Sequence, residues 1–242
     1  MKHKSKLFLS LVALGVGLPL LGDENLKPQP ETVATQRLDF AAGGTIRVDG
    51  SYGPLDVEGW DQSVVEMTVI RFLPFETPES ERSTERMESV RVVAERRSAT
   101  ELVVSTTLPE RRSVFSPLWP RRTKNGVDVE VQLHVPSKSR LVIRHDVGSV
   151  TLSGIAGDIE ATCQRGDLQL WLPENGAYSI DARSRLGKVS SDFPGDSLSQ
   201  FLVGQKFTSS HSEALQRLYL RVGFGGITLK PMLREPEAAF RR

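Results

Sequence analysis

The chain has 242 residues with 31 Lys+Arg against 30 Asp+Glu, 38% hydrophobic and 25% charged residues. That composition belongs to a folded protein rather than a disordered one, and the length suits one large all-β domain or two small ones. A balanced charge supplies no drive toward nucleic acid, and a single cysteine excludes an internal disulfide framework.

The N-terminus carries the pattern of an export signal. A basic MKHKSK precedes an uncharged run from Leu7 to Gly22, sixteen residues long. That is short for a membrane span, which needs about 20 apolar residues. The expected cut follows Gly22. Leu20 suits cleavage poorly, so an uncleaved anchor through residues 7–22 is the alternative. Without residues 1–22 the chain loses Lys2, Lys4 and Lys6 and no acid, so 28 basic residues face 30 acidic ones, a net of −2. Residues 23–36 are polar with two prolines and read as a linker to a domain over 37–230, with residues 231–242 as a tail.

Alternation with period two dominates the chain beyond residue 36. In GVDVEVQLHVP, Val127, Val129, Val131, Leu133 and Val135 share one face, and Asp128, Glu130, Gln132 and His134 the other. Similar strands are expected at 64–72, 90–96, 101–107, 140–144 and 218–222. Residues 77–89, TPESERSTERMES, read instead as a surface helix, with Thr77 as cap and Pro78 at its first position.

A short unit, Gly-x-apolar-x-apolar or small, recurs at Gly44, Gly53, Gly148, Gly157, Gly166, Gly187 and Gly225. Glycine supplies the sharp turn, and the two apolar positions of each unit face one side. So short a strand buries its apolar face only by stacking on its neighbours. The expected architecture is all-β, a β-solenoid or β-helix-like stack of such rungs. An antiparallel β-sandwich is the alternative, because strands at such spacing suit it too. Cys163, on an alternating strand, is expected as a small buried side chain, and Trp60 and Trp171 as core.

The segments GGTIRVDGSYGPLDVEGWDQSVVEMTVIR and VQLHVPSKSRLVIRHDVGSVTLSGIAGDIEATCQRGDLQL, behind an exported N-terminus, resemble the bacterial putative-adhesin family of unknown function. The resemblance rests on the rungs, on Val57, Gly59, Trp60 and Asp61, and on a strand ending in Val-Pro. It covers about Leu38 to Leu229. It implies an all-β, solenoidal fold and an envelope or extracellular location, and no catalytic residues.

Signatures of catalysis are absent from the sequence: no nucleophile elbow, no H-E-x-x-H, no C-x-x-C and no phosphate-binding loop. No cofactor or metal is expected, since no histidine has a second at ligand spacing. Asp158 and Asp167 follow matched glycines and could act as paired carboxylates on a polysaccharide, as in a β-helix enzyme, or simply mark turns. Residues 109–126, PERRSVFSPLWPRRTKNG, are the candidate interaction loop. Arg111, Arg112, Arg121 and Arg122 bracket Phe115, Leu118 and Trp119. This loop either docks on an envelope protein, a glycan or a membrane, or folds back to cap the stack. The expected function is a non-enzymatic, exported β-repeat protein of the cell envelope that displays or binds a ligand. A polysaccharide-acting β-helix enzyme and a membrane-held accessory module of an envelope-stress or transport system are the alternatives.

Overall fold

The computed structural model describes residues 32–72, 90–107, 128–200, 203–211 and 213–232. Among them are seventeen strands: β1 (Thr32–Asp39), β2 (Thr45–Tyr52), β3 (Leu55–Trp60), β4 (Val64–Phe72), β5 (Arg91–Ser98), β6 (Glu101–Thr107), β7 (Asp128–Pro136), β8 (Arg140–Val147), β9 (Val150–Ser153), β10 (Ile159–Arg165), β11 (Leu168–Leu172), β12 (Tyr178–Leu186), β13 (Val189–Ser191), β14 (Asp196–Gln200), β15 (Gly204–Ser209), β16 (Gln216–Phe224) and β17 (Ile227–Pro231). The strands expected at 64–72 and 101–107 have those bounds. The proposed helix at 77–89 and the signal at 1–22 lie outside the described residues.

The strands form two mixed sheets, neither closed. One runs β1-β4-β7-β3-β9-β11-β17-β13 and the other β14-β15-β12-β16-β10-β8-β2-β6-β5. A single hydrophobic core holds side chains from both, so the arrangement is sandwich-like. It is not uniformly antiparallel. The central pairs are parallel, β2 with β8, β8 with β10, β10 with β16 and β12 with β16 among them, and antiparallel pairs lie toward the edges.

Five units build the centre. In each, a strand of the nine-stranded sheet crosses to one of the eight-stranded sheet through two residues that begin with Gly53, Gly148, Gly166, Gly187 or Gly225. All five glycines have φ between 83° and 150°, which side chains with a Cβ rarely adopt. They also stack. Gly148 N donates to Arg165 O at 2.9 Å, Gly166 N to Phe224 O at 2.9 Å, and Gly225 N to Leu186 O at 2.9 Å. The corner backbone is thus hydrogen-bonded from unit to unit like the strands on either side. Gly44 and Gly157 share the sequence pattern but open strands of the nine-stranded sheet, and Gly157 is required for close approach: a Cβ there would stand 2.2 Å from Ser139 O.

The order of units is not the order of the chain. β16–β17 lies between β10–β11 and β12–β13, so the last unit is inserted into the stack. Its aliphatic side chains complete rows of matched residues. Leu102, Ile46, Leu141, Ile159, Leu218 and Ile180 form one row across six strands, each no more than 2% exposed. Burying each such side chain contributes about 1.5–3 kcal/mol.

Two expectations are corrected. The linker over 23–36 ends in strand, because residues 32–36 belong to β1, which pairs antiparallel with β4 as an edge. Edge strands carry polar sequences because one side and one face stay in water. Trp60 and Trp171 are only half-buried. Trp60 stacks on His134 with centroids 5.1 Å apart and donates its indole N–H to Val64 O at 2.8 Å. Trp171 lies beneath Lys230 Nζ at 5.5 Å. Cys163 is buried, as expected.

Candidate functional site

The outward face of the nine-stranded sheet carries a cluster of charged side chains among the described residues. Alternation buries Ile46 and Val48 on β2 and turns Arg47 outward; on β8 it buries Leu141 and Ile143 and leaves Arg140 and Arg144 exposed. Register then sets the neighbours. Thr45 lies beside Arg140 and Glu101, Arg47 beside Val142, Asp49 beside Arg144, and Glu160 beside Val142. With Ser98 and Thr100, all of these except Asp49 line a shallow groove of about 400 Å³, Val142 among them.

Its charges are loosely paired. Arg47 Nε stands 3.5 Å from Glu101 Oε1, Arg140 Nη2 3.6 Å from Glu160 Oε2, and Arg144 Nη1 3.9 Å from Asp49 Oδ1. A charge-assisted hydrogen bond would be about 2.7–2.9 Å. Cross-strand pairs this long and this wet contribute little to stability. Beyond Glu160 the same face is locked instead. Arg221 forks onto Asp181 at 2.8 and 3.2 Å and lies 3.7 Å above the ring of Tyr219.

A second cluster lies inside. Register brings Ser51, His145 and Cys163 side by side on β2, β8 and β10. The Ser51 hydroxyl and His145 Nδ1 are 2.6 Å apart, the contact expected of an activated nucleophile and its base. Yet each of the three residues is 1% exposed. Burial pulls the His145 pKa down to about 4, against the opposing charge of Asp146, and pushes the Cys163 thiol up to about 11. His145 Nε2 makes no hydrogen bond among the described residues, so no carboxylate holds the ring as the third member of a triad does. This row is closed to substrate and packs the corner beneath the glycines.

Asp158 and Asp167 are not brought together. They flank opposite ends of β10, whose seven residues lie between them, so about 25–30 Å separates them along the strand. Paired glycosidase carboxylates stand about 5–9.5 Å apart. Each serves its own turn. Asp158 accepts from the Arg217 backbone N–H at 2.9 Å and from its guanidinium at 3.1 and 3.2 Å. Asp167 accepts from Gly226 N at 2.7 Å. His134, about one-third exposed, stands between Glu58 and Glu66 at 3.4 and 3.9 Å. Among the described residues no group of three His, Cys, Asp or Glu side chains is placed to hold a metal.

The interaction loop, with Arg111, Arg112, Phe115, Leu118, Trp119, Arg121 and Arg122, lies outside the described residues. Its ends are placed: β6 enters it from the nine-stranded sheet next to β2, and β7 leaves it in the eight-stranded sheet next to β3. Sequence reasoning missed the groove. Its arginines were visible as outward positions, but nothing local to β2 or β8 says that they are adjacent.

No protein-family model matches this sequence, and no curated protein is similar to it in sequence. Solved structures are similar in fold. A putative cell adhesion protein from Clostridium sporogenes superposes with a TM-score of 0.51 at 12% identity, over 85% of this chain and 100% of that one. A putative adhesin from Bacteroides fragilis aligns over 84% and 98% of the two chains at 11% identity, with a TM-score of 0.22. One from Parabacteroides distasonis does so over 83% and 97% at 12% identity, with a TM-score of 0.21. The first shows a shared all-β fold; the superpositions of the other two are too poor to carry an argument.

Proposed function

We propose that this chain is a non-enzymatic, adhesin-like binding module of the bacterial cell envelope, exported by its N-terminal segment. Its partner is an envelope protein or a glycan rather than nucleic acid, with residues 7–22 as membrane anchor if the signal is not cleaved. The observation that carries this reading is the exposed, loosely paired groove on a fold shared with the Clostridium sporogenes protein described as a putative cell adhesion protein. The separation of Asp158 from Asp167 supports binding over glycan hydrolysis by that pair. The parallel register of the five units and their stacked glycines support reading the centre as a β-helix-like stack with one inserted unit. Such a scaffold presents a broad, stiff face, which suits display.

Cell fractionation together with the mass of the native N-terminus tests the proposal. The expected result is an envelope or secreted protein, beginning at Asp23 if the signal is cleaved, that binds isolated envelopes. A cytoplasmic protein with residues 1–22 intact and no affinity for envelopes overturns it.

A further inference from the structure

Arg47, Arg140 and Arg144 converge on the groove, and none of their guanidiniums is in a hydrogen bond among the described residues. Arg140 and Arg144 lie four residues apart on β8, about 13 Å, with Arg47 on the next strand beside the residue midway between them. A planar anion is the complement of such donors, because a guanidinium and a carboxylate pair through two parallel hydrogen bonds. Charge alone does not describe the lining. Thr45, Ser98 and Thr100 bring hydroxyls, and Glu101 and Glu160 bring carboxylates that only accept. The side chains of an acidic peptide offer those two glutamates no donor. A sugar chain would use them, because its hydroxyls donate as well as accept.

The shape agrees. The lining residues come from β5, β6, β2, β8 and β10, five consecutive strands, and from the turn between β5 and β6, so the groove runs about 19 Å across the sheet. An open trough of that length takes a chain in passing rather than a compact molecule. Glu101 and Glu160 now stand near Arg47 and Arg140 at 3.5 and 3.6 Å. An incoming carboxylate displaces them toward the hydroxyls.

We propose that this groove binds a carboxylate-bearing polysaccharide laid across the strands, held by Arg47, Arg140 and Arg144, with Glu101 and Glu160 accepting from its hydroxyls. The assignment rests on the envelope-binding reading above and narrows it to a ligand class.

Calorimetric titration of the natively produced protein tests it with three probes. These are polygalacturonate, its methyl ester (the same hydroxyls without the charge) and polyglutamate (the charge without the hydroxyls). Polygalacturonate is expected to bind, and R140E and R144E each to weaken it about tenfold or more at an unchanged melting temperature. If either charge reversal lowers the melting temperature, R140Q and R144Q replace them, with the same direction expected. Equal binding of the methyl ester overturns the role of the arginines, and equal binding of polyglutamate overturns the sugar. No binding of polygalacturonate overturns the assignment as a whole. If that happens while the protein still binds isolated envelopes, the groove is wrong and the envelope reading stands; if both are lost, both fall.

Discussion

Gly166 packs directly against the backbone of Gly148: a Cβ added to Gly166 would stand 1.8 Å from the Gly148 carbonyl oxygen. The contact joins two corners eighteen residues apart, and the same approach recurs from Gly225 to Gly166 and from Gly187 to Gly225. The obstructing atoms are main chain, so they cannot swing aside.

Gly166→Ala is therefore expected to cost about 3–5 kcal/mol, from the clash and the φ of 136° together. Gly43→Ala is the control. Gly43 also has a positive φ, 86°, but open space around it, so it bears only the backbone strain, about 1 kcal/mol. Urea unfolding of the two variants measures the difference. Equal losses would mean that the corner can spread to admit a methyl group.

His145 makes stability depend on pH. Burial lowers its pKa from 6.5 to about 4 in the folded chain, so the unfolded chain takes up the proton first. Above pH 6.5 both states are neutral and the contribution is complete. As pH falls from 6.5 to about 4, the folded state loses up to about 3 kcal/mol through this group. Denaturant titrations at several pH values across that window give the slope, which should flatten in His145→Gln.

Cys163 should resist thiol reagents while the protein is folded. Burial raises its pKa from 9.0 to about 11, which cuts the thiolate fraction at neutral pH about a hundredfold. The side chain is also 1% exposed. Labelling in native buffer should proceed at the rate of unfolding, and labelling in denaturant at once. Rapid native labelling would show that the corner opens.

Gln216 ties the inserted unit to its neighbour. Its side-chain amide donates to Ile155 O at 3.1 Å and Gly157 O at 2.6 Å, from a residue 5% exposed. Gln216→Leu leaves both carbonyls without this donor and should cost about 2–3 kcal/mol. Thermal unfolding measures it. Arg217→Ala, one residue on, removes an exposed pair with Asp158 and should cost no more than about 1 kcal/mol.

Much of the fold was legible in the chain. The strands at 64–72 and 101–107, the buried Cys163 and the corner glycines all follow from residues within a few positions of one another. Period two says which face of a strand is buried, and a glycine followed by alternating apolar residues says where the backbone turns. Neither says which strand lies alongside. The backbone donors and acceptors of any strand satisfy those of any other, so β16–β17 could have followed β12–β13 at the end of the stack. Packing of the complete core decided that it enters between β10–β11 and β12–β13. The same decision made neighbours of Ser51, His145 and Cys163 inside, and of Arg47, Arg140 and Arg144 outside. Alternation alone could place each of these residues on a face; only the register of strands distant in sequence, chosen by how their apolar rows fill one core, could place them together.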